Sequence, residues 1–421
     1  MPPLPSRCAR FLCLALCAAC RLPRWRWTCA LLCALVAGEA LAREQLVFYY
    51  MVSSGQQRSA WQAVLNRFEA ENPDIELAAT VFQHEQYRPA FASLIARHKV
   101  DVAFWMGGEP LRNAVDGGLL RPFDEALVAQ LSHGPQGELD LNPTRVRGQA
   151  YGLPIAYYPW GFFYRKSLFA RLGLKVPLTW DDFLATCATL QEAGLAPLAV
   201  GAKNGWPAAA WFDFLDLRLN GIEFHRRLLH GQERFGDPRV RKVFDTWRVL
   251  LERRYFLAQA MGNDWDYVLP YFYRERVGMI LMGAFVAAKF PAAMADDIGF
   301  FPFPRLSPLV PVYEEGPLDL LVMPGTGKHP QAARRLLTFL AGSGALRQLN
   351  EMNHTVSPQR APASPARNGA AMAWSASHTF FFDRDARKGI VSPAYAGFRQ
   401  FLTPPHDAAA TIRYLDVHAV P

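Results

Sequence analysis

LVFYYMVSSGQQRSAWQAVLNRFEAENPDIELAATV, Leu46 to Val81, holds one complete strand-helix-strand unit. Leu46 to Met51 is a short apolar, aromatic run closed by Ser53-Ser54-Gly55, which predicts a buried strand and a turn. Trp61, Val64, Leu65 and Phe68 then recur at helical spacing until Asn72-Pro73 ends the helix, and Ile75 to Val81 forms the next strand. Tyr87 to Arg97 reads as a second helix, and Val100 to Trp105 (VDVAFW) as a third strand running into Gly107-Gly108. Strands alternating with helices predict a parallel, doubly wound α/β sheet. Ligands collect beyond the carboxyl ends of such strands, so the loops Ser53 to Gln56, Gln83 to Tyr87 and Trp105 to Glu109 are expected to open onto a site.

Further along, Tyr151 to Tyr164 (YGLPIAYYPWGFFY) is long, aromatic and broken by prolines, unlike a strand inside one compact sheet. It reads as the first crossing into a second lobe. That lobe is expected to be helix-rich: Thr179 is the N-cap of a helix opening Trp180-Asp181-Asp182-Phe183, and Val240 to Arg254 continues the pattern. Gly299 to Pro304 (GFFPFP) and Leu318 to Pro324 (LDLLVMP) look like strands returning to the first lobe, followed by a helix from His329-Pro330 to Leu349. Pro358 to Ala371, rich in Pro, Ala and Ser, is expected to be an exposed loop.

The amino terminus has a different character. Thr28 to Gly38 (TCALLCALVAG) is apolar, follows the basic stretch RLPRWRW and precedes Ala40-Leu41-Ala42, an A-x-A pattern. Those are the three regions of a secretory signal, cleaved after Ala42. The apolar runs Phe11 to Cys20 and Thr28 to Gly38 are each about half the ~20 residues that a bilayer span needs. Retention as an anchor, or lipid attachment at Leu16-Cys17-Ala18-Ala19-Cys20, is the alternative. Six of the seven cysteines fall in this leader and only Cys187 follows it, so the folded part holds no internal disulfide framework.

The chain has 421 residues, 51% of them hydrophobic and 19% charged, which suits one very large domain or two ordinary ones rather than a disordered chain. Its formal charge of +8 owes half to the leader, and the remainder is nearly balanced. Nucleic-acid binding needs a concentrated basic face, so that class is excluded.

FEAENPDIEL at Phe68 to Leu77, KVDVAFWMGGEPL at Lys99 to Leu111, DGGLLRPFD at Asp116 to Asp124, and Gly148 to Phe183 occur in a telling order. They are followed by GMILMGAF at Gly278 to Phe285, DIGFFPFP at Asp297 to Pro304, and His329 to Glu351. In this order and spacing the chain resembles the family 1 extracellular solute-binding proteins of bacterial ABC importers, the maltose-binding-protein-like group. The resemblance implies an α/β, two-lobe periplasmic-binding-protein fold of class II type, each lobe a mainly parallel sheet flanked by helices, with the ligand cleft at the hinge. It implies lobe 1 from residues 43–156 and 297–328, lobe 2 from 157–296 and 329–421, and a periplasmic, monomeric binder of a sugar or polyol that docks on a membrane permease. The chain departs from the family in having Phe285 where a Trp often stands, and the acidic Glu314-Glu315 in a stretch expected to be Gly-rich.

Sugars present flat CH faces and rings of hydroxyls, so a site stacks aromatic rings on the faces and aims carboxylates and amides at the hydroxyls. Most aromatic residues of a globular chain simply fill cores. By resemblance Trp105 is the stacking residue, Tyr158 a contact on the crossing segment and Phe285 the second-lobe aromatic; Trp206, Trp211 and Trp265 are weaker candidates. Ser54, Gln56, Glu85, Tyr87, Glu109, Glu314 and Glu315 complete the polar set. In the cleft, Glu314 and Glu315 would favour a hydroxyl-rich or cationic ligand over an anionic one.

An exported glycoside hydrolase is the alternative from another class, requiring two facing carboxylates. The adjacent pairs Asp181-Asp182 and Glu314-Glu315 point different ways, which does not make such a dyad. No zinc-type histidine spacing, G-x-S-x-G or phosphate-binding loop occurs, so no metal, cofactor or catalytic residue is expected. A sensor subunit signalling to a membrane kinase would use the same closed lobes.

Overall fold

The computed structural model describes residues 43–135, 137–360 and 377–421. The expected leader lies outside them, as does most of the expected loop Pro358 to Ala371, whose start at Gln359–Arg360 pairs with Gly137–Leu139 as a short strand. No described helix is long and apolar enough to cross a membrane.

The first strand, Glu44–Val52, pairs in parallel with Ile75–Gln83 on one side and Val102–Met106 on the other. Between the first two lies the helix Gly55–Glu71, capped by Ser54, whose side chain accepts the Gln57 N–H. Trp61, Val64, Leu65 and Phe68 turn its apolar face inward, each buried side chain contributing roughly 1.5–3 kcal/mol relative to exposure. Every residue of Val102–Met106 is buried, as befits a central strand covered on both faces.

Leu318–Pro324 then adds to this sheet antiparallel to Val102–Met106 and also pairs with Leu120–Arg121 and Gly152–Tyr157. The second sheet has the order Ala196–Ala199, Val277–Gly283, Trp160–Arg165, Ile298–Phe301. Its first two strands are parallel and its other pairings antiparallel. Both sheets are therefore mixed. Parallel pairing holds where strand, helix and strand follow one another, and is lost at strands next to the inter-lobe crossings.

Buried apolar side chains gather in two separate cores. One collects residues between Leu46 and Ile155 with residues between Leu318 and Leu349; the other runs from Tyr158 to Phe303 and from Phe381 to Ala419. Among the described residues the chain thus changes lobe three times, and Tyr313–Glu315 pairs in parallel with Ser377–Thr379 alongside the later crossings.

This partition differs from the expected one in two places. Ile298–Phe301 pairs with Trp160–Arg165 and belongs to lobe 2, so the return to lobe 1 comes only at Leu318. The helices Pro330–Gly342 and Ala345–Asn353 belong to lobe 1, where Phe339 meets Phe68 with ring centroids 5.4 Å apart. A turn of a few residues after Pro324 is too short to carry the chain to the other lobe. In lobe 2, Thr179 and Asp182 form the capping box of Trp180–Glu192, and the helix Trp206–Leu229 is buried along most of its length.

Candidate functional site

Between the cores lies a cleft of about 980 Å³, part of it open to solvent, with walls from both lobes. Lobe 1 contributes Ser53 where its first strand ends, Gln57 and Trp61 from the following helix, His84, and Phe104. The end of Ala345–Asn353 adds Asn350 and Asn353, and the returning strand adds Asp319.

The lobe 2 wall is aromatic and centred on Phe285. Its ring stands edge-on to Tyr158, Trp160, Trp206 and Trp265 at centroid distances of 5.5, 6.1, 6.2 and 5.6 Å. Phe381 stacks on Trp160 at 4.7 Å. Each such pair adds about 0.5–1.5 kcal/mol beyond buried area and fixes the rings as a rigid face.

Charge is concentrated at Asp319, Asp383 and Arg384. Arg384 donates from Nη2 to the Tyr158 hydroxyl at 2.9 Å, and the same nitrogen is 3.8 Å from Asp319 Oδ1. Asp319 belongs to lobe 1 and Arg384 to lobe 2, so this pair spans the cleft. Asp383 accepts from Arg88 of lobe 1 and from the Tyr395 hydroxyl at 2.8 Å. Burial pushes the Asp319 carboxyl up to about 6 against the pull of Arg384. Burial also opposes ionisation of Asp383, but the Arg88 and Arg384 guanidiniums outweigh it and hold its carboxyl below the usual range. The two carboxylates and two guanidiniums cancel.

Several buried polar atoms here have no hydrogen-bond partner among the described residues: Trp160 Nε1, Asp319 Oδ1, Asn353 Oδ1, Asp383 Oδ1 and Arg384 Nη1. Leaving such a group unpaired costs about 1–3 kcal/mol, so a cleft holding this set is built for a guest that both donates and accepts.

Of the residues expected from sequence, Tyr158, Trp206, Trp265 and Phe285 meet at the cleft. Glu85 stands at its edge, accepting from Trp206 Nε1 at 3.2 Å and contacting His84 at 3.1 Å. Burial works against its ionisation, yet these hydrogen bonds hold its carboxyl below the usual range. Ser54 is spent as a helix cap, and the exposed Gln56 donates to Met352 O at 2.5 Å; their neighbours Ser53 and Gln57 line the cleft instead.

Trp105 does not face the cleft. Successive strand residues point to opposite faces, so Phe104 enters the site while Trp105 stacks on Phe91 at 3.6 Å and donates to Pro110 O. Tyr87 is buried behind it, bonded to Phe104 O at 2.8 Å. Glu109 is occupied by Arg112, and Trp211 packs among Phe162, Phe256 and Phe303 in the lobe 2 core. Glu314 is buried in an ion pair with Arg218 at 2.6 Å and Glu315 is fully buried beside Asp213, neither one reaching the cleft. Their expected influence on ligand charge therefore falls to Asp319 and Asp383. These two, Arg384 and the asparagines were missed by sequence reasoning; the one local signal is a charged triplet directly after the phenylalanines Phe380 to Phe382.

The family model for bacterial extracellular solute-binding proteins matches residues 53–346, well over half of the chain. The chain belongs to that family. Among relatives of this solute-binding protein, an uncharacterized ABC transporter extracellular-binding protein of Pyrococcus horikoshii is 28% identical over 297 residues, 69% of this chain and 67% of that one. A putative binding protein of Brucella abortus is 30% identical over 283 residues, covering 66% and 68% of the two chains. In three dimensions the solute-binding protein is similar to the bacterial solute receptor AcbH, described as having an exclusive preference for β-D-galactopyranose. The TM-score is 0.82 and the identity 26%, over 89% of this chain and 98% of that one.

Proposed function

We propose that the protein binds a neutral sugar between its lobes and delivers it, chemically unchanged, to the permease of an ABC importer. The observation that carries this reading is the set of unpartnered atoms at the cleft: Asp319, Asp383 and Asn353 offer acceptors, Arg384 and Trp160 offer donors. A hydroxyl both donates and accepts, so a ring of hydroxyls satisfies the whole set while its CH face rests on the Trp206, Trp265 and Phe285 wall. An anionic ligand would meet the Asp319 and Asp383 carboxylates, whose charge the Arg88 and Arg384 guanidiniums only balance, leaving no net positive charge to hold it. The preference described for AcbH makes D-galactose the first candidate.

The sugar touches both lobes and so stabilises the closed form, which the permease recognises. Residues 1–42 act as the export signal that brings the chain, as a monomer, to the periplasm. Mass spectrometry of the exported protein tests this last point, with Arg43 as the expected first residue. A thermal-shift screen of sugars, polyols and sugar phosphates tests the binding reading, because a ligand specific to the native state raises the melting temperature. Stabilisation by a neutral sugar supports it; stabilisation by sugar phosphates alone overturns it.

A further inference from the structure

The turn Phe381–Asp385 brings Phe381, Asp383 and Arg384 to the cleft, and what holds it lies behind it, in the interior of lobe 2. Asp213, fully buried on the helix Trp206–Leu229, accepts the Phe382 N–H at Oδ2, 2.6 Å away. The segment leading into the turn, Ser377–Thr379, runs in parallel register with Tyr313–Glu315, and Gly316 N–H donates to Thr379 O at 2.9 Å. Glu315, also fully buried, lies within hydrogen-bonding reach of Asp213. Yet Asp213 Oδ1 and both Glu315 carboxyl oxygens have no donor among the described residues.

The charged groups around this pair are otherwise matched. Arg218 is held by Glu314 at 2.6 Å and by the carbonyls of Phe303 and Tyr313. His225 lies 2.8 Å from Asp216 and 3.7 Å from Asp213, and burial of its ring is outweighed by those carboxylates, which keep it protonated more readily than usual. On the turn itself, Asp385 meets His230 at 3.3 Å and Asp383 meets Arg88 and Tyr395. His378 stands opposite Glu314 in the strand register. Two cations thus face four carboxyls: Arg218 is bonded to Glu314, His225 is bonded to Asp216 and lies 3.7 Å from Asp213, and the adjacent carboxyls of Asp213 and Glu315 outnumber the positive charge left to them. Two such groups in a dry interior cannot both ionise.

We propose that Asp213 and Glu315, sharing one proton, are positioning residues that hold the Phe381–Asp385 turn in its ligand-ready place. The proton bridges the two carboxyls and leaves Asp213 Oδ2 free to hold the Phe382 amide. When the proton leaves to solvent, the carboxylates repel and the turn is released. Burial pushes the Asp213 carboxyl up to about 8 and that of Glu315 well above the usual carboxyl range. The hold is therefore present below about pH 8 and lost above it. Its consequence for binding rests on the sugar-binding reading; the hold itself does not.

Hydrogen–deuterium exchange of the unliganded full chain tests the hold directly. In Asp213→Ala the Phe382 amide exchanges at least about tenfold faster, while the core strand Val277–Gly283 stays protected. In Asp213→Asn, whose amide supplies both an acceptor for Phe382 N–H and a donor to Glu315, protection is restored. Compared at equal pH, the wild type loses Phe382 protection relative to Asp213→Asn between pH 7 and 9.5. Tryptophan fluorescence titration with D-galactose then gives an affinity that falls about tenfold in Asp213→Ala and returns in Asp213→Asn. A wild type indifferent to D-galactose counts against the choice of ligand and leaves the exchange result to decide the hold. Unchanged Phe382 protection in Asp213→Ala, or exchange that rises equally throughout lobe 2, overturns the proposal.

Discussion

Phe104 and Trp105 are adjacent on one strand and face opposite sides of it, Phe104 toward the cleft and Trp105 flat against Phe91 at 3.6 Å. Their truncations should therefore separate binding from stability. Trp105→Ala removes a packed ring from the lobe 1 core and lowers stability by about 3–5 kcal/mol, leaving the affinity of the folded protein near that of the wild type. Phe104→Ala weakens sugar binding about tenfold. Denaturant unfolding and calorimetric titration of both variants check this; a large affinity loss in Trp105→Ala would return that ring to the site.

Gly108 belongs to lobe 1, has φ +78°, and approaches lobe 2 so closely that an added Cβ would sit 2.1 Å from Arg384 O. Gly108→Ala cannot keep this approach. The strained backbone conformation costs of order 1–3 kcal/mol, and the methyl wedges the lobes apart. Affinity should fall about tenfold or more while helical content, read by circular dichroism, stays unchanged. Wild-type affinity would show that the close approach is not needed for binding.

Asp319 should make binding pH-dependent. As a carboxylate it accepts sugar hydroxyls at both oxygens, whereas protonated it loses the charge that strengthens those bonds. With its carboxyl pushed up to about 6, affinity falls as the pH drops from 7.5 through 6 to 5. Asp319→Asn weakens binding at pH 7.5 by about 1.5–3 kcal/mol and flattens the profile. For stability of the unliganded chain the sign is opposite. The folded state holds this proton more tightly than the unfolded one, so the contribution is fully present below the ordinary value of 3.8 and is lost as pH rises through about 6. Calorimetry for binding and thermal melts for stability, over the same pH range, check both signs.

Much of the fold is legible locally. The helix Gly55–Glu71 announces itself by its Ser54 cap, its apolar spacing and Asn72-Pro73, and Thr179 with Asp182 marks the start of Trp180–Glu192. Lobe membership is not legible, because the apolar stripe of Pro330–Gly342 fits either sheet and only the short turn after Pro324 decides. The same holds for the site. Tyr158, Trp206, Trp265 and Phe285 are reached by residue type and position, but Trp105 and Phe104 differ only in the phase of a strand. Asp383 and Arg384 follow Phe382, whose amide is held by Asp213, a partner remote in sequence, while Glu314 is buried against Arg218 and Glu315 beside Asp213. Such pairings exist only once the lobes have folded.

A neutral sugar is expected to close the two lobes across the Asp319–Arg384 pair. Small-angle scattering of the protein with and without the sugar that stabilises it in the thermal screen addresses this most directly. A smaller radius of gyration is expected with sugar, and no such change in Gly108→Ala. A wild-type radius that is the same in saturating sugar and in its absence would contradict it.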